Sequence, residues 1–258
     1  EAGLRRPNYA GREIPLAAGL HLVLLVPTLG TLAILAGVPA APAPLIAAST
    51  LCLCGFGLAG LVDDVLGTAG HKGFLGHFRA LLREGRLTSG AIKALFGGVI
   101  ALLTALALAA FYPRDFGPWY QVVVNTLLLA SAANLLNLFD LRPGRAGKIF
   151  YLGLGLCAAM SWQMDLYGGP VFLVAVALFP LFRADLRGRL MLGDTGANLL
   201  GATLGLAMAL WLTWHAKLAA LVLLLALQAL SERFSFSRAI ERVGILRSLD
   251  SWGREAEP

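Results

Sequence analysis

The sequence predicts an all-α, polytopic transmembrane helix bundle of about eight spans, with its polar loops gathered on the cytoplasmic side. Three observations carry this. Of 258 residues, 58% are hydrophobic and only 14% charged, too apolar a balance for a soluble domain of this length. Apolar stretches near the length needed to cross a bilayer recur along the chain. Of the 21 lysines and arginines, only Arg114 and Lys217 fall in the alternate set of loops, so the rest mark one face, the cytoplasmic one.

Taken in order, the spans fall at about 14–38, 42–62, 91–112, 119–139, 147–165, 168–182, 195–214 and 217–231. The opening "EAGLRRPNYAGREIP" has no apolar core and is not a signal peptide. Because the chain begins with Glu1, a preceding span is expected to be missing. The stretches 168–182 and 217–231 are the shortest and read as steeply packed helices or half-spans. The loop 63–90 places Phe74, Leu75, Phe78, Leu81 and Leu82 at helical spacing, which predicts a helix along the membrane interface. Thr88 or Ser89 would cap the span that follows. The tail from Ser231 mixes arginine with scattered apolar residues and is expected against the same face. With no repeat and no long linker, residues 1–258 read as one membrane domain.

The formal charge of +6 describes one basic membrane face, suited to lipid head groups and phosphates rather than to nucleic acid. Cys52, Cys54 and Cys157 lie within predicted spans, and the spacing of the first two points them to different sides of a helix. They read as small buried residues.

Ionisable residues at the margin of a bilayer are costly, so their positions inform. Asp63 and Asp64 end the second span in "GLVDDVLG", Asp140 ends the fourth in "NLLNLFD", and Asp194 precedes the seventh in "LMLGDTGAN". The arginine topology puts all four on one face. Four neighbouring carboxylates repel unless a cation sits among them. Oxygen-only ligands favour Mg2+ over zinc, and magnesium implies phosphate chemistry. Lys72, Arg79, Arg142, Arg145 and Lys148 follow the acids closely and suit phosphate oxygens. Asn134, Asn137 and Asp140, spaced by three, share a helical face that can line the same pocket. Gly193 and Gly196 permit close backbone approach at a helix N-terminus, where anions are favoured.

Plainer readings stand beside these. A single aspartate before "TGAN" is ordinarily a cap. Arg183, Arg187, Arg189 and the tail arginines read as orientation signals. Asn134 also suits a hydrogen bond across a helix interface. His21 and His215 read as structural, and His71 and His77 stay ambiguous.

At these residues the sequence resembles the polyprenyl-phosphate N-acetylhexosamine-1-phosphate transferases. "RRPNYAGREIPLAAG", "LVDDVLG", "HKGFLGHFRALL", "NLLNLFD" and "LMLGDTGAN" are similar, in that order, to the family's motifs. The resemblance implies a multi-pass protein of the bacterial cytoplasmic membrane, with active-site loops on the cytoplasmic face. It would move a sugar phosphate from a UDP-sugar onto a lipid phosphate, using magnesium and releasing UMP, for cell-wall synthesis. By position, Asp194 resembles the principal magnesium ligand, with Asp64 beside it, and Asp63 the residue that engages the lipid phosphate. Asp140 would face the nucleotide-sugar, and Lys72 and Arg79 the phosphates. Direct attack by the lipid phosphate and a phospho-aspartyl route are both compatible, the first needing fewer steps. The implied partners are polyprenyl phosphate, a nucleotide-sugar and the membrane, with homodimerisation open.

Two departures stand out. Pro143 in "DLRPGR" replaces the second aspartate of the family's helix end, and "SERFSFSR" stands near where a His-rich loop is usual. Both touch donor recognition. The aspartate run of a CDP-alcohol phosphotransferase is absent around "DLRPGRAGKIF". A non-catalytic polyprenyl-phosphate binding or transport protein is the alternative.

Overall fold

The structure, a computed structural model, describes residues 5–7, 11, 13–16, 18–37, 42–66, 89–161 and 168–254. Among them, eleven helices follow two short strands: β1 (Arg5–Pro7), β2 (Glu13–Pro15), α1 (Leu20–Leu35), α2 (Ala43–Leu66), α3 (Ser89–Phe111), α4 (Pro113–Phe116), α5 (Trp119–Phe139), α6 (Arg145–Ala159), α7 (Gly169–Leu186), α8 (Gly193–Trp211), α9 (Trp214–Ser231), α10 (Phe236–Arg242) and α11 (Gly244–Ser251). The interfacial helix expected within 63–90 lies largely outside the described residues, as do Lys72, Arg79, His71 and His77.

Five described helices are long and apolar enough to cross a membrane: Ala43–Val65, Ile92–Phe111, Trp119–Phe139, Gly169–Leu186 and Trp214–Ser231. The two stretches expected to be shortest both reach 18 residues. The other three expected spans correspond to α1, α6 and α8. The first two have 16 and 15 residues, and Pro27 lies inside α1. α8 has 19 residues but is rich in glycine, alanine and threonine, because it faces neighbouring helices and almost all of it is buried.

That burial defines the architecture. α8 is the central post, packed chiefly against α5 and α2. Its small residues let backbones come close, the usual device for helix association without a hydrophobic driving force. A side chain at Gly201 would strike the backbone of Ala132 and Ala133, and one at Gly60 would strike the backbone of Asp194. α3 is peripheral, with Leu95, Val99, Leu103 and Leu106 exposed as a lipid-facing stripe.

The N-terminal segment forms an antiparallel β1–β2 ladder pairing Arg5 with Pro15 and Pro7 with Glu13, so residues 14 and 15, expected at the start of the first span, are strand. It is tied to the approach to α8: the Met191 N–H donates to the Pro15 carbonyl at 3.0 Å, and those of Ala18 and Gly19 donate to the carbonyls of Met191 and Leu192. The cysteines are free, with Cys52 and Cys157 buried, as expected.

Candidate functional site

The ends of α2 and α5 and the starts of α3 and α8 meet at one end of the bundle. Asp63 and Asp64 leave the last turns of α2, where Gly60 presses directly on Asp194 and sets the distance between the helices. Gly193 opens α8 at φ 69°, a left-handed conformation that glycine tolerates, and a side chain there would meet the Asp64 carboxylate.

The close approach lets Asp64 cap α8 from another helix. Its Oδ1 accepts from the Asp194 N–H at 3.0 Å, and its Oδ2 from the Thr195 N–H at 2.9 Å and the Thr195 hydroxyl at 2.6 Å. A buried carboxylate at a helix N-terminus satisfies free N–H groups and the helix dipole together. The geometry fixes where the Asp194 side chain departs.

The cation among the acids is Lys93, in the first turns of α3. Its Nζ donates to Asp194 Oδ2 at 2.6 Å and to Asp63 Oδ2 at 3.1 Å. Asn137 completes the cluster. With its amide turned to suit both neighbours, its nitrogen donates to Asp194 Oδ1 at 2.9 Å and its oxygen accepts from Lys93 at 3.1 Å. Three oxygens from three helices therefore use the three donors of one ammonium.

Among the described residues, no three His, Cys, Asp or Glu side chains gather as a metal-ligand set. The donors that do converge are two carboxylates and an amide, hard oxygens of the kind magnesium takes while keeping several waters. They fit the ion, and Lys93 presently satisfies them. Lys93 was not singled out in the sequence. The signal available was a lone lysine four residues into the apolar run "SGAIKALFGG".

Asp140 stands at the C-terminal cap of α5. Burial pushes its carboxyl well above the ordinary range, and the nearby charges of Asp185, Asp194 and Asp64 push the same way against Arg145. Asp185, at the end of α7, sits among arginines in the sequence, which carries no signal of a site there. It is buried and accepts from the Gly144 N–H at 3.0 Å, tying α7 to the α5–α6 corner.

The other expected site residues go elsewhere. Asn134 donates to Gln228 Oε1 of α9 at 3.0 Å, the helix-interface role. Arg145 is buried and binds Asp250 with two parallel bonds, Nε to Oδ1 at 2.7 Å and Nη2 to Oδ2 at 2.8 Å, while Nη1 donates to the Ser237 hydroxyl at 2.9 Å. Lys148 donates to the carbonyls of Leu249 and Asp250. Arg142 lies 3.4 Å from Glu241. Arg254 reaches back to the Pro143 carbonyl at 2.9 Å and to Asp250, and Phe236 stacks on Phe139. The "LRPGR" corner thus seats the C-terminal segment.

No family model matches the chain, and no solved structure does. A curated protein, the phospho-N-acetylmuramoyl-pentapeptide-transferase of Moorella thermoacetica, is 28% identical over 216 residues, which cover 78% of this chain. The chain spans 62% of that relative's length. The chain is a distant relative of this transferase, and the resemblance to the polyprenyl-phosphate N-acetylhexosamine-1-phosphate transferases carried by its motifs is borne out.

Proposed function

We propose that the chain transfers a sugar-1-phosphate from a nucleotide-sugar, UDP-linked, onto a polyprenyl phosphate at the cytoplasmic face of a bacterial membrane, releasing a nucleoside monophosphate. The observation that carries this reading is the convergence of Asp63, Asn137 and Asp194 on one cationic point at a shared helix end.

Asp194, with Asp63 and Asn137 beside it, would hold magnesium, which supplies charge neutralisation on the phosphate oxygens. Asp64 positions Asp194 by fixing the first turn of α8. It is therefore a positioning residue here, although its place in the motif suggests a metal ligand. Lys93 pairs with the carboxylates when no phosphate is present, and turns its ammonium to phosphate oxygens when substrates enter. Asp63 accepts the proton of the lipid phosphate. An oxygen of that phosphate then attacks the sugar-bearing phosphorus, forming a new P–O–P bond as the bond to the nucleotide breaks. Asp140 faces the nucleotide-sugar side.

The test supplies purified protein with polyprenyl phosphate and a panel of nucleotide-sugars, with and without magnesium, and follows released nucleotide by chromatography. Magnesium-dependent release of UMP supports the reading. Lipid binding with no nucleotide release across the panel overturns it. The second reading, a non-catalytic binder or carrier of polyprenyl phosphate, draws on the engagement of Arg145 and Lys148 by the C-terminal segment rather than at the acid cluster.

A further inference from the structure

A second polar site lies at the opposite end of the bundle. α5 runs from Trp119 to Phe139, so its first turn is roughly 30 Å from Asp140. There the starts of α5 and α9 and the end of α8 enclose a cavity of about 180 Å³. At ~30 Å³ for each water, it has room for roughly six waters or one tetrahedral anion with its ester groups.

Lys217 dominates this cavity. The residue is 3% exposed, and its ammonium is held by two neutral amides, Gln121 Oε1 and Asn125 Oδ1, each at 3.1 Å, over the face of Phe116. Among the described residues it forms no ion pair. A buried charge without a counter-charge is expensive and calls for an anion. Other donors agree. Trp211 lines the cavity, and its buried indole N–H has no acceptor among the described residues. Among the described residues the buried Asn125 amide nitrogen beside Lys217 has none either. Thr213 precedes α9 with no side-chain cap for that helix's first N–H groups, and Thr213 and Trp214 line the same cavity. Asp115 also lines it and is exposed with Thr213 at the mouth.

The depth of the site narrows the ligand. Trp119, Tyr120 and Trp214 interlock edge to face beside it, and Trp119 is 77% exposed. Exposed amphipathic rings at a span's end mark the head-group level of a bilayer.

We propose that Lys217, Trp211 and the start of α9 bind the phosphate of a glycerophospholipid head group at the membrane face opposite the acid cluster. Lys217 and the Trp211 N–H donate to the phosphate oxygens, and Asp115 at the mouth faces the polar substituent beyond them. The site lies outside the proposed transfer reaction and stands whether or not that reaction occurs.

The experiment measures lipid retention by native mass spectrometry on the full chain in maltoside detergent. The probes are phosphatidylethanolamine, phosphatidylglycerol and a phosphate-free galactosyl diacylglycerol, with inorganic phosphate in a parallel thermal-shift series. Phospholipid should be retained, the galactolipid should not, and Lys217→Met should weaken phospholipid binding at least tenfold. Trp211→Phe, which keeps an aromatic ring but removes the indole N–H, should weaken it severalfold. Lys217-dependent stabilisation by inorganic phosphate without lipid retention overturns the phospholipid assignment and gives the site to a free anion. Equal retention by wild type and both variants, with no Lys217-dependent phosphate effect, overturns the proposal. Should Lys217→Met fail to fold, Trp211→Phe decides alone.

Discussion

Lys93 and Asp194, 101 positions apart in sequence, meet at 2.6 Å, and Asp63 shares the same ammonium at 3.1 Å. The close pair makes a lysine the internal counter-charge of the acid cluster. A divalent ion bound as proposed would therefore compete with this ammonium for the same oxygens.

Lys93→Met should separate the two cations. Removing the ammonium strengthens the field that draws a divalent ion, so magnesium should bind the variant more tightly in calorimetric titration. Turnover should still fall by about 10²–10³-fold, the usual loss when a preorganised charge partner of a transferring group is deleted. Unchanged turnover would confine Lys93 to a structural role.

Asn134 and Asn137 offer a comparison on one helix. Asn137→Leu should nearly abolish activity, because it removes an oxygen from the cluster and leaves an Asp194 oxygen without a donor. Asn134→Leu should cost only ~0.6 kcal/mol of stability, the average for an interhelical hydrogen bond, and leave turnover unchanged. Paired kinetic and thermal-unfolding measurements on the two variants check this.

Gly193→Ala places a methyl group against Asp64 on a left-handed backbone. It should destabilise by more than ~1 kcal/mol and lower kcat together with magnesium affinity, since the Asp64 cap aims Asp194. A denaturation curve with a magnesium titration reads both effects.

These positions show how much was legible in the sequence. Hydropathy marks a bilayer solvent directly, so the long lipid-facing helices were found, and the acids stood out because charge is rare in such runs. Lys93 was hidden by the same contrast, as one cation in the first turns of a span reads as an end marker. The glycines and alanines of α8 count as apolar in the expected span 195–214, and hydropathy does not show that they serve close packing. Arg145 illustrates the limit of proximity in sequence: it follows Asp140 by five positions, yet its partner is Asp250. The short β1–β2 ladder has too few residues for any periodicity to register.

The Arg145–Asp250 pair predicts the behaviour of the C-terminal segment. Asp250→Ala leaves a buried guanidinium without its carboxylate and should cost about 3–5 kcal/mol, read by thermal unfolding. Although burial alone would raise the Asp250 carboxyl, Arg145 and Arg254 hold it below the usual carboxylate range. A depressed folded value means the stabilisation is fully present above the unfolded value of ~3.9 and is lost as pH falls through the folded one. Amide protection across α10 and α11, taken relative to intrinsic exchange at each pH, should therefore stay high at mildly acidic pH and fall only below the ordinary carboxylate range. Loss of protection already near neutrality would contradict the clamp.

The central claim is that Asp194 anchors a phosphate-transfer site. The most direct measurement compares wild type and Asp194→Asn for nucleotide release from a nucleotide-sugar, with polyprenyl phosphate and magnesium present and lipid binding followed in parallel. The variant should still bind lipid while release falls by at least about 10³-fold, several kcal/mol of lost transition-state stabilisation. Release at the wild-type rate from Asp194→Asn would contradict it.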